Sequence, residues 1–233
     1  MKAVFKRELK AYFSTPIGFL VLAAYYFFLG LYFTIIYSAG SPDVSMILMA
    51  MSTVVVFTVP IITMRLMSED RRQKVDQALL TAPVKLSGIV FGKFFAAMAL
   101  FAIGFIPTVV FELIIVSYVS VNIMSFIYSL LGILLLGGAL ISIGMFISSL
   151  TESSVISAIL TLIINFIVLY MSTFASMVKV TWLATAIEKA AFITVFENFG
   201  TNIFSVSDIV YFLSIIAAFI FLTVRSLEKR RWS

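Results

Sequence analysis

The sequence has no cysteine and no histidine, and charged residues fill only 12% of its 233 positions. Without cysteine there are no disulfides, thiolate metal sites or thiol nucleophiles. Without histidine the usual general base and the commonest transition-metal ligand are missing too. The chain also lacks a G-x-x-x-x-G-K-[ST] phosphate loop, an H-E-x-x-H or G-x-S-x-G motif, and an acidic metal cluster. It is therefore not expected to hydrolyse ATP itself, or to bind a cofactor or metal of its own.

Apolar residues are what it has in excess. They make up 62% of the chain, with a mean hydropathy of +1.16, which is more apolar surface than one soluble domain of this size can bury. Six runs have spanning length, at residues 17–37, 45–64, 90–118, 123–149, 155–177 and 208–225. They are continuous, whereas strands of a membrane barrel would be about ten residues long and alternate apolar with polar. Helices of about 20 apolar residues match a hydrocarbon core of roughly 30 Å. The expected fold is an all-α integral membrane protein with six transmembrane helices, forming a single domain over residues 1–233. Pro60 and Pro107 each remove a backbone donor and are expected to kink the second and third spans. The first run exceeds the 7–15 residues of a signal-peptide core and is expected to remain as a span.

Basic residues near spans are retained on the cytoplasmic side. On six spans the N-terminal group (Lys2, Lys6, Arg7, Lys10), the six between Arg65 and Lys93, and the C-terminal group (Arg225, Lys229, Arg230, Arg231) fall on one side. Only Lys179 and Lys189 of the 16 Lys and Arg lie opposite, so both termini are expected in the cytoplasm. A seventh span within residues 178–207 would put Glu188, Lys189 and Glu197 in lipid. That segment instead reads as an extracytoplasmic re-entrant element, with a short helix such as Trp182 to Phe192.

Residues 1–15 place Val4, Phe5, Leu9, Tyr12 and Phe13 on one side of a helical wheel, opposite Lys6, Arg7 and Lys10. This describes a basic amphipathic helix in the membrane interface; a solvated basic tail is the alternative. Ser14 is a candidate cap for the following helix, with Pro16 in its first turn.

Inside the spans, Glu112 in "FIPTVVFELIIV" is either a transport or proton-relay acid or a structural carboxyl near the outer end. Asn165 in "LIINFIV" reads as an interhelical hydrogen bond. Gly138 with Ser142, and Gly144 with Ser148, stand at small-xxx-small spacing, which allows close helix approach within one subunit or between two.

The connector at residues 65–88 concentrates charge between two apolar runs. Ser68 is a candidate N-cap, with Glu69 and Asp70 at the positive end of the helix dipole. Asp70 and Lys74 form an i,i+4 pair worth about 0.3 kcal/mol. Val75, Ala78 and Leu79 make a narrow apolar stripe, and Pro83 marks the stop. The spacing predicts an amphipathic helix from Glu69 to Thr81, too short to be stable alone and so docked on the membrane, on the bundle or on another protein.

Three stretches resemble the permease subunits of ABC-2 type transporters, most closely the gliding-motility-associated branch. They are "MSEDRRQKVDQALLTAPVKLSGIVFGKF", "GMFISSLTESSVISAILTLIINF" and "VSDIVYFLSIIAAFIFLTVRSLEKRRW". The resemblance implies an elbow helix before the first span and a cytoplasmic coupling helix at Glu69 to Thr81. A separate ATP-binding subunit would dock through Glu69, Asp70, Arg71, Arg72, Val75 and Leu79, with Glu152 in the turn from Leu150 to Ser153 as a second contact. It also implies ATP and Mg held by that partner, a second permease subunit (homo- or heterodimer), a lipid environment in a bacterial inner membrane, and no nucleic-acid partner. "QKVDQAL" and "TESSV" depart from the family's usual residues at the two contacts.

On this reading the protein is the membrane subunit of an ATP-driven exporter. An amphipathic or lipid-like cargo suits its 24 Phe, although Phe facing bulk lipid explains the same count. The alternatives are an ion-coupled secondary transporter working through Glu112, or a membrane scaffold or immunity protein that docks a cytoplasmic partner.

Overall fold

The computed structural model describes residues 1–40, 43–72, 85–118, 122–175, 182, 188, 191–200 and 205–231. All regular structure among them is helical. In chain order the helices are α1 (Lys2–Ser14), α2 (Pro16–Ser38), α3 (Val44–Thr63), α4 (Ser68–Arg72), α5 (Leu86–Gly104) and α6 (Ile106–Val116). They continue with α7 (Ile123–Leu150), α8 (Ser154–Leu169), α9 (Met171–Ala175), α10 (Phe192–Gly200) and α11 (Val206–Arg231).

Among the described residues, five segments are long and apolar enough to cross a membrane: Pro16–Ser38, Val44–Arg72, Leu86–Val116, Ile123–Leu150 and Val206–Lys229. The chain is a multi-pass membrane protein. The remaining expected span, at 155–177, is not one long helix. Its first part, α8, has 16 residues and rises about 24 Å, less than the roughly 30 Å of hydrocarbon, before a turn at Tyr170 separates it from α9.

Local chemistry explains most of the breaks. Thr15 is extended (φ −115°, ψ 156°), and Pro16 opens α2 where no N–H is needed. Ser14 does not cap α2 as expected. It ends α1, and the N-cap position belongs to Thr15, whose hydroxyl donates back to Ala11 O at 3.0 Å. Pro60 is accommodated inside α3. Pro107 lies in the first turn of α6, just after the break at Phe105 that divides the third span.

The centre of the bundle is α7, which packs against α3, α5, α8, α10 and α11. Its small residues make those contacts possible. A Cβ on Gly137 would lie 2.2 Å from Phe101 Cζ, so the Phe101 ring rests on bare backbone and meets Tyr25 edge-on and Phe105 at a tilt. Gly138 meets Ile216, and Gly144 meets Thr63 and Thr161. Both small-residue pairs, Gly138/Ser142 and Gly144/Ser148, are therefore buried within this one chain.

In the expected re-entrant segment the described helix is α10, which begins where the expected Trp182 to Phe192 helix ends. Its Phe199 packs on Gly132 of α7. Most of residues 178–190 and 201–204 lie outside the described residues. Apolar side chains line the exposed faces of α2, α8 and α11, among them Phe27, Ile163 and Phe221. These faces suit lipid or another membrane subunit.

Candidate functional site

The charges gather at one end of the bundle, where α1, α4, the start of α5 and the α7–α8 turn converge. Lys93, about two turns into α5, is 1% exposed. Its ammonium reaches Asp70 Oδ2 at 2.7 Å and Glu8 Oε1 at 3.1 Å, and donates to the Leu66 carbonyl at 2.5 Å. Three acceptors thus meet its three donors. A buried cation is tolerated only when paired in this way. Arg7 extends the cluster to Glu8 at 2.5 Å and Asp70 at 3.6 Å.

Beside it, Arg65 grips Glu69 through two bonds of 2.6 Å each, the forked geometry a guanidinium offers a carboxylate. Tyr12 of α1 donates to the Ile62 carbonyl of α3 at 2.7 Å. Burial, reinforced by the nearby Glu8 carboxylate and only partly offset by Arg65, pushes the Tyr12 phenol well above its ordinary pKa. The hydroxyl therefore remains a neutral donor. These groups surround a cleft of about 310 Å³ with a charged mouth and an apolar floor that includes Ile17 and Ile61.

A second set of contacts ties α4 to the α7–α8 corner. Ser148 Oγ accepts from the backbone N–H of Met67 and of Ser68, each at 3.1 Å, and donates to Met64 O at 3.2 Å. It thereby stitches the turn between α3 and α4 to the end of α7. Arg71 donates to Leu150 O at 2.9 Å and pairs with Glu152 at 2.9 Å. Ser68 and Ser154 share a hydrogen bond of 3.1 Å. At the same end, Ser149 of α7 donates to Ser226 of α11 at 3.3 Å. The N-terminal helix, α4 and the end of α11 thus share one end of the molecule.

The expected docking residues are divided by the structure. Glu69, Asp70, Arg71 and Glu152 come together here, each engaged within the chain, and Arg72 is exposed. Val75, Leu79 and Lys74 lie outside the described residues, as does most of the expected helix to Thr81; the described part is α4, Ser68–Arg72. Ser68 is not an N-cap. It lies within the helix, buried, with its hydroxyl turned back to Met64 O. Asp70 is taken by Lys93 and Arg7.

Glu112 is buried in α6, 6% exposed, and pairs with no basic side chain among the described residues. Asn165 does not make the expected interhelical hydrogen bond, since both polar atoms of its buried amide are without a partner. Lys93, Glu8 and the bonding role of Ser148 were missed. A lysine inside the apolar run "GIVFGKFFAAM" was the available signal for the first, because such a charge requires a partner. No metal-binding group of His, Cys, Asp or Glu occurs among the described residues.

Mechanically, α4 is a strut fixed at both ends, to α1 and α5 through carboxylates and to α7 and α8 through hydroxyls and Arg71. No nucleophile–base pair for covalent chemistry is found in this cluster. Comparison with curated proteins finds no match. The sequence model of the family described as ABC-2 type transporter matches residues 1–196. With a match covering most of its length, the chain belongs to the ABC-2 type transporter family.

Proposed function

We propose that this protein is the membrane subunit of an ATP-driven exporter, and that α4 belongs to the coupling helix through which a separate ATP-binding subunit drives it. The observation that carries this reading is the double anchoring of α4, to α1 and α5 by Asp70 and to the α7–α8 corner by Arg71 and Ser68. A push on α4 is thereby delivered to both halves of the bundle. ATP and Mg belong to the partner, which docks on the exposed Arg72 and on the continuation of the connector through Val75 and Leu79. Glu152, 65% exposed at its side chain, offers the second contact.

On this reading α8 and α9 together form the fifth of six spans, α1 is an interfacial elbow, and both termini face the cytoplasm of a bacterial inner membrane. A second permease subunit, identical or not, covers part of the exposed apolar faces. The aromatic bundle suits an amphipathic or lipid-like cargo. Glu112 serves a structural role, because among the described residues it pairs with no basic side chain that could relay a coupled ion.

The test is purification of the tagged chain from its own membranes, followed by measurement of co-purifying Mg-dependent ATPase activity. Arg72→Glu is expected to lower that activity several-fold at unchanged yield of the chain. Equal ATPase activity with the variant removes Arg72 from the interface, and absence of ATPase from the unaltered preparation contradicts the reading as a whole.

A further inference from the structure

Several buried hydroxyls in this bundle find a partner within their own helix. Thr58, Thr63 and Thr223 donate to the carbonyl four residues back, and Ser142 to the one three back, the common solution for a hydroxyl in an apolar helix. One helix departs from this. On α8, Ser157, Thr161 and Asn165 follow one another at intervals of four, a single stripe on a helix of 3.6 residues per turn. All three are 0% exposed, and Ser157 Oγ, Thr161 Oγ1 and both amide atoms of Asn165 have no hydrogen-bond partner. Orphaned buried polar atoms are rare, and three in register require a cause.

The stripe faces protein. The lipid-side face of α8 is apolar, with Ile159, Ile163 and Ile167 about half exposed, and its buried face packs on α3 and α7. Opposite Thr161 the helices approach closely. A Cβ on the facing Gly144 would lie 2.8 Å from Thr161 Cγ2 and 2.4 Å from Thr63 Oγ1. The ends of α8 are tied to the α3–α4 arm by Ser154 to Ser68 at 3.1 Å, by Glu152, two residues before its first, to Arg71 at 2.9 Å, and by Tyr170, just past its last residue, to Thr53 at 2.8 Å.

We propose that the Ser157–Thr161–Asn165 stripe is one wall of a seam that is closed in this structure and opens to water when α8 separates from α3 and α7. This deepens the coupling reading, because two pins, the Ser68–Ser154 bond and the Arg71–Glu152 pair, join α4 to the start of α8. Displacing α4 releases the charged end of α8, and hydration then supplies the partners the stripe lacks. Side chains that are all neutral suit water better than an ion.

The absence of native cysteine allows a clean test. Ser157→Cys, Thr161→Cys and Asn165→Cys are made singly in the full chain, and membranes are treated with a small water-borne methanethiosulfonate reagent. Each is compared with the same variant carrying Ser154→Ala and Arg71→Ala, which release the pins without needing nucleotide. Ile163→Cys on the lipid side is the control. Release of the pins is expected to accelerate modification of the three stripe thiols by about fivefold to tenfold, the scale of one hydroxyl bond and one largely exposed ion pair on an opening equilibrium, and to leave Ile163→Cys unchanged. Stripe thiols indifferent to the pins overturn the proposal, and so does an equal acceleration at Ile163→Cys, which reports general loosening. Acceleration by the pin variants with no response to MgATP in membranes containing the ATPase keeps the seam and rejects α4 as its driver.

Discussion

Lys93 and Asn165 are both enclosed by an apolar bundle, at 1% and 0% exposure, and their surroundings are opposite. Lys93 has three acceptors for its three donors, while Asn165 has none for its amide. The first is the more demanding residue to bury and the better satisfied, which marks the charged junction as a fixed joint. The second is left unpaired on a helix tied at its ends by two single hydroxyl bonds and one largely exposed ion pair, which marks α8 as a part that moves. A saturated polar cluster resists rearrangement, and an unsaturated one gains by it.

The contrast breaks most severely at Lys93. Lys93→Met removes the buried one of the two cations that Glu8 and Asp70 share and is expected to destabilise the protein by about 3 kcal/mol, toward the lower end of the range for breaking a buried pair because both carboxylates retain some exposure and Arg7 remains. Thermal unfolding in detergent or nanodiscs measures it, and an unchanged midpoint would show that the junction is not a joint. Ser148→Ala removes the acceptor for two backbone N–H groups and is expected to lower stability by about 2 kcal/mol in the same assay.

Asn165→Leu should act in the other direction. Replacing an unpartnered amide by an apolar group of similar size is expected to raise stability by about 1 kcal/mol and to slow transport. A loss of stability would mean that the amide has a partner. Arg71→Ala, whose carboxylate partner is largely in solvent, should change stability by less than about 1 kcal/mol, so any large effect on coupling would be separable from folding. The Tyr12–Ile62 bond should be insensitive to pH across the physiological range. The phenol is held above its ordinary value of 10.0 in the folded state, so its contribution is complete below that value and fades only as pH rises beyond it.

How far these regions could be read in advance differs for physical reasons. Five of the six expected spans were legible because continuous apolar runs of membrane length leave few alternatives, and the start of α2 because proline needs no N–H in a first turn, although the cap position is Thr15 and not Ser14. The turn at Tyr170 was not, since "NFIVLYMSTF" keeps its apolar content through the point where the helix breaks. At the charged end, Glu69 to Arg72 stood out as charge at a helix start. Their partners did not, because Glu8 and Lys93 are 85 residues apart and only the packing of α1 on α5 brings them together. Ser148 has the spacing of a small packing residue and was read as one; its three hydrogen bonds depend on the α3–α4 turn lying beside it. The unpaired amide of Asn165 is the clearest reversal, since the residue type alone suggested a bond between helices.

The central claim, that α4 transmits motion from an ATP-binding partner to α8, is tested most directly at Ser68 and Ser154, whose hydroxyl oxygens are 3.1 Å apart. With both replaced by cysteine in this cysteine-free chain, the rate of disulfide formation reports how often the two helices meet. In membranes that retain the ATPase, MgATP trapped with vanadate is expected to slow the cross-link several-fold relative to nucleotide-free membranes, and Arg72→Glu to abolish the difference. A cross-linking rate that does not respond to nucleotide would contradict the account.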